Sequence, residues 1–159
     1  MIMTIAATLM RYMAEQGLKY EVVDHSHSHS SMETAKLTHI PAENLAKAVV
    51  LEDDKGCLMA VLPAANHIEL DTLSDRLERD LKFTIEPKLK QLFADCDPGA
   101  IPPVGQAYGM DTIVDESLAE KSDLYFEAGD HEKLIHMRRD RFMKMMENAR
   151  RGRFSHPNP

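Results

Sequence analysis

The stretch LAKAVVLEDDKGCLMAVLPA, from Leu45 to Ala64, constrains the fold of this chain more than any other. Two apolar runs of strand length flank Asp53-Asp54-Lys55-Gly56, a turn-forming group, and that pattern predicts a β-hairpin.

The flanking segments add helices and further strands. Ile2, Ile5, Leu9, Tyr12 and Met13 recur at helical spacing from about Thr4 to Gln16, and Gly17 is a natural stop. LKYEVVDH reads as a strand. Ser30-x-x-Glu33 is a capping-box pattern that starts a short helix at Ser31, and Pro41 can open another at PAENLA. Leu70, Leu73, Leu77 and Leu81 share a helix face, KFTI is a short strand, and Pro87 opens a helix carrying Leu89, Leu92 and Phe93. DTIVD, DLYFEAG and KLIHMR are three more strands. A last helix sets Phe142, Met145, Met146 and Ala149 on one face, and the tail RGRFSHPNP reads as frayed. Helices are interspersed with strands and hairpins predominate, which argues for α+β with a mixed or antiparallel sheet rather than a doubly wound fold. The expectation is one domain over residues 1–153 and a disordered tail over 154–159.

With 43% hydrophobic and 28% charged residues, the 159-residue chain can bury a core and lacks the composition of a disordered one. No apolar run approaches the ~20 residues of a membrane span. The amphipathic start MIMTIAATLMRYMAEQG lacks a basic opening and a small-residue cleavage site, so it reads as a folded helix rather than a signal peptide. Cys57 and Cys96 form no CxxC pair, which suits a reduced cytoplasm. The net charge of −7 disfavours gripping nucleic acid with the whole surface. Arg138 to Arg153 nevertheless carries +5, either as a solvated helix face and loose tail or as a local phosphate contact.

Four places could hold chemistry. Lys47 interrupts an apolar strand. Its stem packs on the core with the ammonium snorkelling outward, or it holds a charge at the mouth of a pocket. In Gly99-Ala100-Ile101-Pro102-Pro103-Val104-Gly105 the prolines stiffen the chain and the glycines allow close approach; the segment is a plain connection or a carbonyl-binding bend. Asp130 and His131 fall in a turn, where His131 is a surface histidine or a general acid/base. In Asp24-His25-Ser26-His27-Ser28-His29-Ser30, histidines alternate with serines, as in a metal site, a tag or a loop ending in a helix cap. GxSxG, P-loop, GxGxxG and HExxH signatures and zinc-type Cys/His spacings are all missing.

Taken in order, LAKAVVLEDDKGCLMAVLPA, FTIEPKLKQLFADCDPGAIPPVGQAYGMDTIVDESL and DLYFEAGDHEKLIHM resemble the YbaK/EbsC-type aminoacyl-tRNA deacylases. That family includes the editing domain inserted in, or found beside, bacterial prolyl-tRNA synthetases. The resemblance runs from about Thr4 to Met143 and rests on a lysine at the start of a central strand (Lys47) and a GxxxP loop roughly fifty residues further on (Gly99 to Pro103). It implies a compact α+β domain with a mixed, barrel-like sheet surrounded by helices. It also implies hydrolysis of the ester between a wrongly attached amino acid and the terminal adenosine of tRNA, with no metal, cofactor or covalent intermediate. By the same resemblance Lys47 orients the aminoacyl end, the backbone at Gly99 contacts the carbonyl, and His131 is a further catalytic candidate. Pro102, Pro103, Gly105 and Asp130 would border the substrate, as would His25, Ser30 and Ser31, while His27 and His29 depart from the family pattern. The implied partners are the acceptor end of a mischarged aminoacyl-tRNA and an aminoacyl-tRNA synthetase, in the cytoplasm and away from membranes.

An aminoacyl ester is already activated, so geometry can supply much of the rate and no triad is required. Backbone N–H groups aimed at the developing oxyanion are worth ~3 kcal/mol per donor. Two other readings stand beside this one: a non-catalytic module of the same fold that binds aminoacyl-tRNA or a synthetase, and a small metal-dependent hydrolase using the histidine loop. The editing reading expects Lys47 and the 99–103 bend to converge on one cavity sized for an amino acid.

Overall fold

In the computed structural model, which describes residues 5–158, the chain opens on helix α1 (Ala7–Glu15), with Leu9 and Met13 buried and Gly17 at φ +62 just beyond its end. The expected contributions of Ile2 and Thr4 lie outside the described residues. Strand β1 (Glu21–Asp24) leads through the histidine loop into helix α2 (Ser31–Thr38). The cap forms as the sequence predicts: the Glu33 N–H donates to the Ser30 hydroxyl at 3.1 Å, satisfying one of the open donors of the first turn. Pro41 precedes only a 3-10 turn, Ala42–Asn44.

The hairpin is β2 (Leu45–Asp53) and β3 (Gly56–Pro63), in register from Ala46 opposite Pro63 to Asp53 opposite Gly56. Asp54 and Lys55 close the turn, and Gly56 follows at φ +130, a conformation that favours glycine. Arg79 grips the Asp53 carboxylate with two bonds of 2.6 and 2.7 Å and holds its pKa well below the usual range. Then come β4 (Asn66–Ile68), α3 (Leu70–Leu77), β5 (Lys82–Phe83), α4 (Glu86–Leu92), β6 (Asp111–Asp115), β7 (Asp123–Glu127) and β8 (Lys133–Arg138). Helix α5 (Arg139–Met145), β9 (Arg150–Gly152) and β10 (Ser155–Pro157) complete the chain.

The main sheet runs β1-β8-β7-β2-β3-β6-β9, with β5 also on β2, while β10 and β4 form a separate ribbon. β2–β7, β3–β6 and β6–β9 are parallel and the other pairs antiparallel, so the fold is α+β with a mixed sheet, as expected. Because side chains alternate along a strand, the sheet buries two faces. Ala46, Val50, Met59, Val61, Leu124 and Phe126 pack with Leu9 and Met13 of α1 and Phe142 of α5. On the other face, Leu51, Leu58, Leu62 and Ile113 pack with Leu73 of α3 and with Phe154, and Leu45 and Leu134 pack with Ala35 of α2.

Three expectations need correction. Helix α3 stops at Leu77 because Glu78 enters the left-handed region at φ +55; Leu81 is buried, but from outside the helix. Helix α5 stops at Met145, short of Ala149. The supposed disordered tail, 154–159, is ordered as far as residue 158. Phe154 is fully buried, β10 pairs with β4, and the Asn158 N–H donates to the Ala65 carbonyl at 2.9 Å. Residue 159 lies outside the described residues. Among the described residues, no helix is long and apolar enough to cross a membrane.

Candidate active site

Lys47 leaves β2 on the face that carries Leu45 and Leu62, between two of the apolar clusters. It is half-buried, and its ammonium donates to the Asn66 carbonyl at 2.8 Å. Burial lowers its pKa, because the charged form has lost part of its water. Among the described residues it has no carboxylate partner within 4 Å, so the nitrogen has donors to spare. The acceptor is fixed from a distance. Asn66 lies opposite Pro157 in the β4–β10 ribbon, and its side-chain amide donates to the Ser155 hydroxyl at 3.0 Å.

On the next strand the parallel register pairs Leu45 with Tyr125 and Ala46 with Phe126. One residue further along each strand stand Lys47 and Glu127, which therefore leave the same face. Sequence reasoning missed Glu127. Its side chain is only 4% exposed, and burial pushes its carboxyl up to about 7, reinforced by Asp130 and Asp97 and opposed by the Thr34 hydroxyl. Thr34 donates to Glu127 Oε1 at 2.8 Å, and Ser28 Oγ lies 2.5 Å from Thr34 Oγ1. Ser28 and Thr34 were missed as well. The only hint in the sequence is a carboxylate ending an otherwise apolar strand, opposite small hydroxyl residues in the histidine loop and α2.

His131 sits at the other end of this chain. Its Nδ1 is 3.4 Å from Ser28 Oγ and 3.8 Å from Glu127 Oε2, and its side chain is 2% exposed. Burial lowers its pKa; Asp97 pulls the other way, while His27, His25 and His29 add to the lowering. Its backbone lies at φ +59, a conformation that costs a non-glycine residue of order 1 kcal/mol and that is held here by the surrounding structure. The His25 N–H donates to the Glu132 carbonyl at 2.8 Å, the Ser28 N–H to the His131 carbonyl at 3.2 Å, and the Asp97 N–H to the Gly129 carbonyl at 2.8 Å. The histidine loop and the Gly99 segment are thus both stitched to the β7–β8 turn.

Gly99 packs at the Nε2–Cε1 side of the His131 ring. A Cβ built on Gly99 would lie 2.5 Å from His131 Nε2 and 3.3 Å from the His29 carbonyl oxygen, so glycine is what allows the imidazole its place. The bend offers few free donors. The Ala100 N–H goes to the Asp97 carbonyl and the Val104 N–H to Pro102, each at 2.8 Å, while the Gly99 N–H reaches only Asp97 Oδ1 at 3.5 Å.

His25 lies below the cluster with its side chain 2% exposed. Its Nδ1 is 2.7 Å from the Ser26 carbonyl, which can only accept, so Nδ1 carries a proton. Its Nε2, 3.5 Å from Glu127 Oε1, makes no hydrogen bond, and neither does Glu127 Oε2. Buried polar atoms with no partner are costly, which makes this cluster a candidate functional site.

The other predicted residues have different surroundings. Ser30 caps α2, and Ser31 is its first residue. Asp130 is buried, accepts the Glu132 and Lys133 N–H groups at 2.9 Å each and pairs with the Lys133 ammonium at 3.3 Å, so its carboxylate is committed to the turn. Pro102 and Pro103 are buried. Gly105 packs away from His131, its missing side chain leaving room for Thr112 and Met59. Among the described residues, no three His, Cys, Asp or Glu side chains gather as metal ligands would. The structure does not show the expected convergence of Lys47 and the bend on one cavity: the Lys47 ammonium turns to Asn66, while Gly99 lies against His131. A cavity of about 440 Å³ lined by Lys55, Arg79, Gln106, Met110 and Arg150 includes none of these residues. The basic stretch from Arg138 to Arg153 is divided between α5 and β9, and Arg153 pairs with Glu116 and Glu120 at 3.7 and 2.9 Å.

Comparison with known proteins bears on what this arrangement is. Solved structures share the fold at low identity. One is a candidate trans-editing enzyme for prolyl tRNA synthetase, with TM-score 0.82, 16% identity, and coverage of 95% of this chain and 96% of that one. Another is a candidate signal transduction protein from Marinobacter aquaeolei VT8, with TM-score 0.76 and 21% identity, where 96% of this chain matches 31% of a longer one. Comparison with curated protein sequences gives no match. Residues 25–145 match the model of the aminoacyl-tRNA editing domain, a span that takes in Lys47, Gly99, Glu127 and His131. The chain belongs to the aminoacyl-tRNA editing domain family, the YbaK-type group that its lysine and GxxxP pattern resembles.

Proposed function

We propose that this protein is a trans-editing hydrolase that frees a wrongly attached amino acid from tRNA. The observation that carries the reading is the family match, which spans a half-buried lysine and a buried histidine–carboxylate cluster on neighbouring strands. In the reaction, water adds to the ester carbonyl carbon and gives up a proton, and the bond to the terminal ribose oxygen breaks as that oxygen takes a proton. Lys47, desolvated and without a carboxylate partner, is suited to hold a substrate oxygen or the terminal phosphate. The loosely held Gly99 N–H lies beside His131 and can turn to the carbonyl. His131, its pKa lowered by burial, is suited to take the proton from water. No step needs a metal or a covalent intermediate. The acceptor end of a mischarged tRNA is the substrate in this reading, and the cytoplasm is the compartment it suits.

Hydrolysis across a panel of mischarged tRNAs tests the reading and names the amino acid removed. Wild-type protein should release at least one amino acid catalytically. Lys47→Met, which keeps the stem and removes the charge, should lower kcat/KM by about 100-fold or more without loss of fold, as expected for a group acting on the transition state. Lys47→Met at the wild-type rate would remove Lys47 from the site. Tight binding of a non-hydrolysable aminoacyl-adenosine with no turnover on any tRNA would instead make the protein a binding module.

A further inference from the structure

We infer that Ser28, Thr34 and Glu127 form a one-way hydrogen-bond chain that holds His131 as its Nδ1–H tautomer, with a bare Nε2 turned to the Gly99 bend. This rests on the editing reading only for its catalytic consequence. The argument is one of donors and acceptors. An ionised carboxylate accepts and never donates, so Thr34 must give its single hydroxyl proton to Glu127 Oε1, 2.8 Å away. Thr34 Oγ1 then has only lone pairs for Ser28, 2.5 Å away, and Ser28 must give it its proton. Ser28 in turn shows only lone pairs to His131 Nδ1 at 3.4 Å, so that nitrogen must carry the hydrogen. The second nitrogen, Nε2, keeps its lone pair: Asp97 Oδ1, 4.0 Å away, is beyond hydrogen-bond reach, and a Cβ built on Gly99 would lie only 2.5 Å from this atom.

The chain has a direction only while Glu127 is ionised. A protonated Glu127 could donate to Thr34 and reverse every bond, which would leave Nε2 as the protonated atom. The charged and titratable groups facing the pair are Asp97 from the Gly99 segment, Asp130 from the turn, and His25, His27 and His29 from the histidine loop. Glu127, Thr34 and Ser28 are therefore positioning residues for His131. They do not face the bend themselves.

Two readouts separate this inference from the proposed function. In full-length protein with 15N-labelled histidine, His131, assigned by comparison with His131→Gln, should show a protonated Nδ1 and an unprotonated Nε2 above pH 7. Thr34→Val, which keeps the shape and removes the hydroxyl, should abolish that preference, and Thr34→Ser should retain it. In deacylation, Thr34→Val should lower kcat by about 10-fold or more with KM within about twofold, and Thr34→Ser should restore most of the rate. An Nε2–H tautomer in the wild type, or a His131 spectrum untouched by Thr34→Val, overturns the chain. The expected spectra in a protein that deacylates nothing would support the chain and reject the editing reading. Active wild type with Thr34→Val equal to Thr34→Ser rejects the catalytic role of the chain.

Discussion

Lys47 and His131 stand at two ends of one candidate site, and the fold holds them in opposite ways. Lys47 is tied by one bond to a backbone carbonyl, and that carbonyl is fixed by the β4–β10 ribbon from the far end of the chain. His131 is held at Nδ1 by buried side chains and has room at Nε2 through the absence of one, at Gly99. The lysine end can thus be loosened by unpacking the C-terminus without touching the site. The histidine end can be altered only from within.

The largest effect tests the lysine end. Phe154 is fully buried against Leu62, Leu73 and Ile113, and its N–H donates to Asp115 Oδ2 at 3.1 Å. Phe154→Ala should lower unfolding stability by about 3–5 kcal/mol, the usual cost of such a cavity. Denaturant titration measures it, and deacylation below the new midpoint should fall because Asn66 no longer fixes the ammonium. A loss under about 1 kcal/mol would mean that the ribbon anchors nothing, a figure typical of exposed positions.

The next effect belongs to the histidine end. Gly99→Ala puts a methyl 2.5 Å from His131 Nε2, too close for both to stay. Stability should fall by about 1–3 kcal/mol as well, since the buried ring has to give way. Deacylation should fall by about 100-fold, the scale of an ångström-sized displacement of a reacting group. Wild-type kinetics in this variant would show that the bend and the imidazole do not act together.

The same contrast decides what the sequence disclosed. The β2–β3 hairpin, the α2 cap and Lys47 are local signals: an apolar alternation, a Ser30–Glu33 spacing, and a charge in the wrong company. The β4–β10 ribbon is invisible to such reading, because its short strands are polar and pair across 87 residues between Ile68 and Ser155. Glu127 was hidden by the rule that revealed its strand. In DLYFE the apolar Leu124 and Phe126 alternate with Tyr125 and Glu127, which reads as a strand with its carboxylate in water. Thr34 of α2, the histidine loop and His131 pack on that face and bury it. His131 was placed in its turn from sequence, but the positive φ and the Gly99 contact that give it a role arise from tertiary packing.

The smallest effect asks whether Glu127 carries its proton in the folded protein. Its carboxyl titrates at about 7 instead of near 4.5, so between those values the native state keeps a proton that the unfolded chain releases. By linkage, stability falls as pH rises through that window, and the full loss is reached above about pH 7. His131 acts in the opposite sense, because its lowered pKa makes the native state release a proton early, and stability rises with pH below 6.5. The two partly offset in the wild type, so only a difference isolates Glu127. Glu127→Gln mimics the protonated acid at every pH. Its stability relative to wild type should climb from pH 4.5 to 8, with a total change on the order of 3 kcal/mol. A flat difference across that range would mean that Glu127 is ionised throughout. The hydrogen-bond chain to His131 would then run in one direction at every pH, and any pH dependence of deacylation near neutrality would have to come from His131 or its histidine neighbours.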